Sequence, residues 1–234
     1  MKNLHAPKVM FYLCYLIVIV ISTFFDKSYL KIILPITLLA LIIYYIKDSP
    51  RINMFFILSI IALMVNDFLL YTDMISNFSK ICILISSYLV FTSLSLKSYV
   101  VQTKQHWSKI ISASLLISLA LIIYLIFSIS ELVLHRLPGA IPYIVMAVIP
   151  LLVYIAISYY IYISDVYVSG IRLLISACLC IFIITLAPIN ELFYSSRVFI
   201  IFNTTGHILG LYLFMKFLME TDPAVVPDKV PKYV

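Results

Sequence analysis

Eight long apolar stretches run through this sequence, divided by short breaks that carry charged or turn-forming residues. They cover roughly Val9–Phe25, Tyr29–Ile46, Ile52–Tyr71, Ile81–Leu96, Ile110–Ile129, Ile141–Ile163, Ile171–Leu186 and Val198–Leu218. A helix needs about 17 to 25 apolar residues to cross the hydrocarbon core of a bilayer, so each stretch predicts a membrane-spanning helix. A membrane barrel would instead alternate apolar and polar residues in stretches of about ten. Water is excluded as the solvent: 64% of the 234 residues are hydrophobic and only 11% charged, against about 25% charged in ordinary soluble domains. The expected fold class is all-α, a polytopic membrane helix bundle of about eight transmembrane helices. It forms a single domain over residues 1–219, followed by a polar tail over 220–234 that contains Pro223, Pro227 and Pro231. The N-terminal stretch resembles a secretory signal in outline. It is long and ends in Ser22-Thr23-Phe24-Phe25-Asp26, with no small-x-small cleavage site, so it reads as a retained first span.

Eight spans place both termini on one side, and the basic residues say which. That side carries Lys2, Lys8, Lys47, Arg51, Lys97, Lys104, Lys109, Arg172, Lys216, Lys229 and Lys232. The other carries Lys27, Lys31, Lys80, Arg136 and Arg197. The positive-inside rule then puts both termini in the cytoplasm, in an integral protein of the cell or inner membrane. The net charge of +6 is accounted for by these flanking residues, and no nucleic-acid partner is implied. Tyrosine pairs near span ends, such as Tyr44-Tyr45 and Tyr159-Tyr160, fit an interfacial aromatic belt. Cys14, Cys82, Cys178 and Cys180 lie in apolar runs without metal spacing, and read as small core residues. No metal or cofactor is implied, and nothing in the sequence sets the oligomeric state.

In lipid the informative residue is the ionisable one inside a span, because it is costly without a partner or a job. Asp67, preceded by Asn66, lies about four residues from the outer end of the third span. Lys31 lies near the outer start of the second. Topology predicts that they approach each other, either as an ion pair that fixes packing or as part of a polar cavity. In the eighth span Asn203, Thr204 and His207 share one helix face, either for interhelical hydrogen bonds or as a cavity lining. Gly210 continues that face and would admit a close helix neighbour. Pro188 is expected to end or kink the seventh span. Glu191, beyond it, reads as a solvated loop charge or a further site residue. A site, if built, is expected in the outer half of the bundle. No Walker loop, HExxH or GxSxG occurs, so ATPase, zincin and serine-hydrolase chemistries lack motifs.

The stretches Lys31-Ile-Ile-Leu-Pro35-Ile-Thr-Leu-Leu and Ser59-Ile-Ile-Ala-Leu-Met-Val-Asn66-Asp67-Phe-Leu-Leu70 resemble motifs of the YhhN-like family, the membrane lysoplasmalogenases. That family carries a Lys-Pro in an early helix and Gly-Asp-x-x-Leu at the end of the next apolar one. Here the proline is displaced and Asn66 replaces the glycine. The resemblance implies a membrane lipid or lysolipid as partner and Asp67 as the key carboxylate, with Lys31 beside it. It implies hydrolysis of the vinyl-ether bond of a lysoplasmalogen, with Asn66, Asn203, Thr204, His207 and Glu191 available to bind substrate. The sequence also departs from the pattern. Thr185-Leu186 stands where the family has a Ser-Asp pair, and no histidine lies around Ser86–Ser93. Vinyl-ether hydrolysis needs a proton delivered to carbon and water added to an oxocarbenium-like centre, and Asp67 alone supplies half of that. A catalytically inactive relative, acting as a lipid or small-molecule binder or a transporter, is the alternative.

Overall fold

The computed structural model describes residues 6–100, 113–194 and 196–223. The start of the expected fifth span and most of the C-terminal tail lie outside them. Every long described element is helical: α1 Ala6–Phe24, α2 Leu30–Asp48, α3 Met54–Ser95, α4 Ala113–Arg136, α5 Ile141–Ile163, α6 Gly170–Leu192 and α7 Arg197–Glu220. Among the described residues, α1, α2, α3, α5, α6 and α7 are long and apolar enough to cross a membrane.

Helix α3 is a hairpin. Its 42 residues would extend about 63 Å as one rod, at 1.5 Å per residue. Yet the side-chain Nδ2 of Asn53, just before its start, donates to the carbonyl of Ser95 at its end, at 3.0 Å. The chain therefore reverses within it, and the place is Asp73, whose backbone is extended (φ −164°, ψ 102°). The Asp73 carboxylate accepts from the amides of Ile75 and Ser76, at 3.0 and 3.2 Å, and from the Ser76 hydroxyl at 2.5 Å. Those are N-cap bonds, which satisfy amides that a helix start leaves free. Residues 54–72 and 74–95 form two antiparallel arms. The sequence suggested a long break from Thr72 to Lys80. One residue suffices, because Met74, Phe78, Ile81 and Cys82 repeat at helical spacing and are buried together.

The helices form a closed ring. α1 packs on α2, α2 on α3, α3 on α5, α5 on α6, α6 on α7 and α7 back on α1, while α4 leans on α5 and α6. We call the end holding Met54, Ser95 and Glu220 basal, and the end holding Asp73 apical. The outer faces carry bare apolar side chains such as Leu13, Leu16 and Phe68, a surface suited to lipid rather than water.

The basal half is solid and aromatic. Tyr45 and Phe56 meet edge-on at 4.7 Å, Phe56 stacks on Phe214 at 5.7 Å, and Phe217 meets Tyr99 at 5.1 Å and Tyr167 at 6.2 Å. Such pairs add about 0.5–1.5 kcal/mol each beyond area burial. Tyr44 and Tyr45 are fully buried here, which corrects their reading as part of an interfacial aromatic belt. Tyr45 still reaches the basal turn, where its hydroxyl donates to the Arg51 carbonyl and accepts from the Asn53 amide. Two other expectations change. Pro188 sits inside α6, which runs on to Leu192, so it neither ends the helix nor stops Asn190 and Glu191 from being helical. Of the cysteines, Cys82 and Cys180 are buried, Cys14 is half-buried and Cys178 is exposed.

Candidate functional site

Above the aromatic layer the ring opens around a cavity of about 150 Å³. Helical periodicity aims the side chains at it. On the first arm of α3, Leu63, Asn66, Asp67, Leu70 and Tyr71 line it, at the i, i+3, i+4, i+7, i+8 spacing of one face. On α7 one face is likewise picked out by Asn203, Thr204, His207, Gly210 and Leu211, at i, i+1, i+4, i+7, i+8. The second arm of α3, α4, α5 and α6 add mostly apolar walls, including Phe78, Ile129, Ile144 and Ala187. Among the described residues, no lysine or arginine lines the cavity.

Asp67 is 3% exposed. It sits 13 residues above Met54, the basal start of α3, and His207 sits 13 residues above Glu220, the basal end of α7. Both are therefore about 20 Å up, at 1.5 Å per residue. Level helices let the side chains meet, with Asp67 Oδ2 3.3 Å from His207 Nε2. That is ion-pair distance if the imidazole is protonated, but the geometry is not that of a hydrogen bond, and both atoms lack one. The Asn66 side-chain amide donates to the other carboxylate oxygen at 3.4 Å, a long, weak contact. Oδ1 of Asn66 and Oδ1 of Asn203 are buried without a partner among the described residues. A carboxylate and an imidazole in contact, beside the buried amides of Asn66 and Asn203, form a pair suited to acid–base chemistry.

Five of the seven residues expected at a site thus come together: Asn66, Asp67, Asn203, Thr204 and His207. Lys31 and Glu191 do not line the cavity. The expected Lys31–Asp67 ion pair is absent, and the reason is height. Lys31 is the second residue of α2, whereas Asp67 lies six residues, about 9 Å, below the break at Asp73. The apical ion pair is Lys27 with Glu191 at 2.8 Å, the Glu191 side chain being 11% exposed, so Glu191 is a paired helical residue and not a solvated loop charge.

Sequence reasoning missed Tyr71, Tyr88, Ser176 and Cys180, which also line the cavity. Tyr71 was legible, because it follows Asp67 by one helical turn. The Ser176 hydroxyl donates to the Gly210 carbonyl at 2.8 Å. A Cβ on Gly210 would meet the Leu179 Cβ at 3.4 Å. Gly210 thus admits α6, the close neighbour its position predicted.

No family model matches this chain, no curated protein matches it, and no solved structure matches its fold.

Proposed function

We propose that the chain is an eight-span integral membrane protein, with both termini cytoplasmic, that takes a lysolipid into the cavity and hydrolyses its vinyl-ether bond on the Asp67–His207 pair. The two arms of α3 count as two spans, and α4, which carries most of the apolar stretch Ile110–Ile129, as another. With the basal end cytoplasmic, the pair lies in the outer half of the bundle.

The observation that carries this reading is the contact of Asp67 with His207 at 3.3 Å. Asp67 alone supplies one acid–base group where the chemistry asks for two, and the imidazole is the second. His207 as imidazolium delivers a proton to the vinyl carbon remote from oxygen. The positive charge that develops at the other vinyl carbon and the ether oxygen faces the Asp67 carboxylate, as a preorganised negative charge should. Water adds to that carbon and its proton returns to the imidazole. The resulting hemiacetal breaks into an aldehyde and a glycerol hydroxyl. The motif resemblance around Lys31 and Asp67 supplies the substrate class, and the apolar walls suit an aliphatic chain.

Transport is the weaker alternative. The aromatic layer of Tyr45, Phe56, Phe214 and Phe217 fills the basal half, and a cavity closed at one end supports binding over passage. A catalytically silent binder is favoured by one feature: Leu186 stands where the related family has its second acid. Aldehyde release from a lysoplasmalogen by the purified protein decides between enzyme and binder. The enzyme reading expects release that falls at least a hundredfold in Asp67→Asn and in His207→Gln. Release untouched by both substitutions, or no release at all, removes it.

A further inference from the structure

Four lone-pair atoms on the cavity wall have no partner. Asn66 Oδ1, Asp67 Oδ2, Asn203 Oδ1 and His207 Nε2 are buried and make no hydrogen bond among the described residues. Asn66, Asp67 and Asn203 are each more than nine-tenths buried. Amide and carboxylate oxygens carry lone pairs and no proton, and so does Nε2 of an imidazole protonated on Nδ1. Tyr71 lines the same wall, and its hydroxyl brings a single proton to these four atoms. The hydroxyl protons of Ser176, Thr185 and Thr204 go to the carbonyls of Gly210, Ile181 and Ile200. Among the described residues, no basic lysine or arginine in the lining offsets the Asp67 charge. What such a wall lacks is a cation. Asp67 Oδ2 and His207 Nε2 stand 3.3 Å apart without the geometry of a hydrogen bond. Two ligands held about 2.0–2.2 Å from one tetrahedral ion lie about 3.3–3.6 Å apart. Asn203 precedes His207 by four residues, so both project from one face of α7, and Asn66 adjoins Asp67 in the sequence.

We propose that Asp67 and His207 are ligands of a divalent transition-metal ion, with the side-chain carbonyl oxygens of Asn66 and Asn203 completing its shell. One imidazole, one carboxylate and two amide oxygens form a set that suits Zn²⁺ or Co²⁺. Cu⁺ prefers thiolates, and Ca²⁺ takes a larger cage of oxygens. The ion occupies the imidazole lone pair on which a proton would otherwise sit. The metal-bound and proton-carrying forms of the pair therefore exclude each other, and the bound ion switches off the hydrolysis proposed above. The metal site stands on the geometry alone; its inhibitory effect rests on the proposed activity.

Cobalt tests the site, because its visible absorption reports coordination geometry. The full chain, purified in detergent without an affinity tag, is stripped with a chelator and titrated with Co²⁺, then with Zn²⁺ in competition. The expected result is one ion per chain, a tetrahedral cobalt spectrum that Zn²⁺ abolishes, and binding weakened at least about tenfold in Asp67→Asn and in His207→Gln. X-ray absorption of the zinc-loaded wild type needs no variant to fold. It should show one imidazole in a shell of nitrogen and oxygen at about 2.0–2.2 Å. Sulfur in the shell, at about 2.3 Å, would put the ion on Cys82 or Cys180, which also line the cavity, and would overturn the site. Binding untouched by both substitutions would mark an adventitious surface position, such as the exposed Glu131 and His135 of α4, and overturns it too, as does no binding by the wild type. Aldehyde release is followed separately. Release by the stripped protein that one equivalent of Zn²⁺ suppresses supports the switch, and release that persists with the ion bound overturns it. Release without any metal binding removes the metal site and leaves the enzyme reading. Metal binding by a protein that releases no aldehyde when stripped removes the enzyme reading and leaves the metal site.

Discussion

Removing His207 tests the central contact of the site. At 3.3 Å, two opposite unit charges attract by about 5 kcal/mol at an effective dielectric constant of about 20. Desolvation of both groups offsets much of that, and the net coupling of such contacts is about 0.5–3 kcal/mol. Breaking one side costs more, about 3–5 kcal/mol, because it strands the other charge in the interior. His207→Leu should therefore lower the melting temperature by about 6–12 °C, taking 3 kcal/mol and about 2–4 °C per kcal/mol for a chain this long. Asp67→Asn in the same chain removes the stranded charge and should recover most of the loss. Melting curves in detergent of the wild type, both single variants and the double variant give the coupling directly. Lys31→Met serves as the control: it should combine additively with Asp67→Asn, because Lys31 forms no ion pair with Asp67. Additive losses for His207 and Asp67 would refute the pairing. Coupling between Lys31 and Asp67 would refute the placement of α2.

Two further outcomes follow from the hairpin in α3. Asp73→Ala removes the cap of residues 74–95 and should cost about 1 kcal/mol, whereas Asp73→Asn should keep most of it, because asparagine caps as well as aspartate; equal loss in both, read as melting temperature, would mean that charge and not capping holds the turn. In a chain freed of its own cysteines, Ser76→Cys at the apical turn should react with a membrane-impermeant maleimide on intact cells, and Ser49→Cys at the basal turn only after permeabilisation. Labelling of both from one side would refute the eight-span topology.

Much of the architecture was legible because lipid imposes a simple rule: spanning segments are apolar, long and helical. Ile141–Ile163 appears in the structure with its expected bounds. What escaped were features set by contacts rather than by hydropathy. The second arm of α3 starts seven residues before Ile81, because the polar residues Ser76 and Asn77 sit beside a buried stripe from Met74 to Cys82. Pro188 was read from its local cost, but α6 tolerates it and carries on to pair Glu191 with Lys27. The polar residues inside spans pointed to a common location, and Asn66, Asp67, Asn203, Thr204 and His207 do share one cavity. The partner was wrong, because sequence neighbourhood favoured Lys31. The ring closes α7 next to α1 and brings His207, 140 positions along the chain from Asp67, to the same height. No short-range pattern encodes that.

The most direct measurement is photo-crosslinking with a lysophospholipid that carries a diazirine along its chain, followed by mapping of the adducts. Occupancy of the cavity predicts adducts on inward residues such as Phe78, Ile129 and Ile144, abolished by excess unlabelled lysolipid. Adducts confined to lipid-facing residues such as Leu13 and Leu16 of α1, and indifferent to competitor, would contradict a lysolipid site in the cavity.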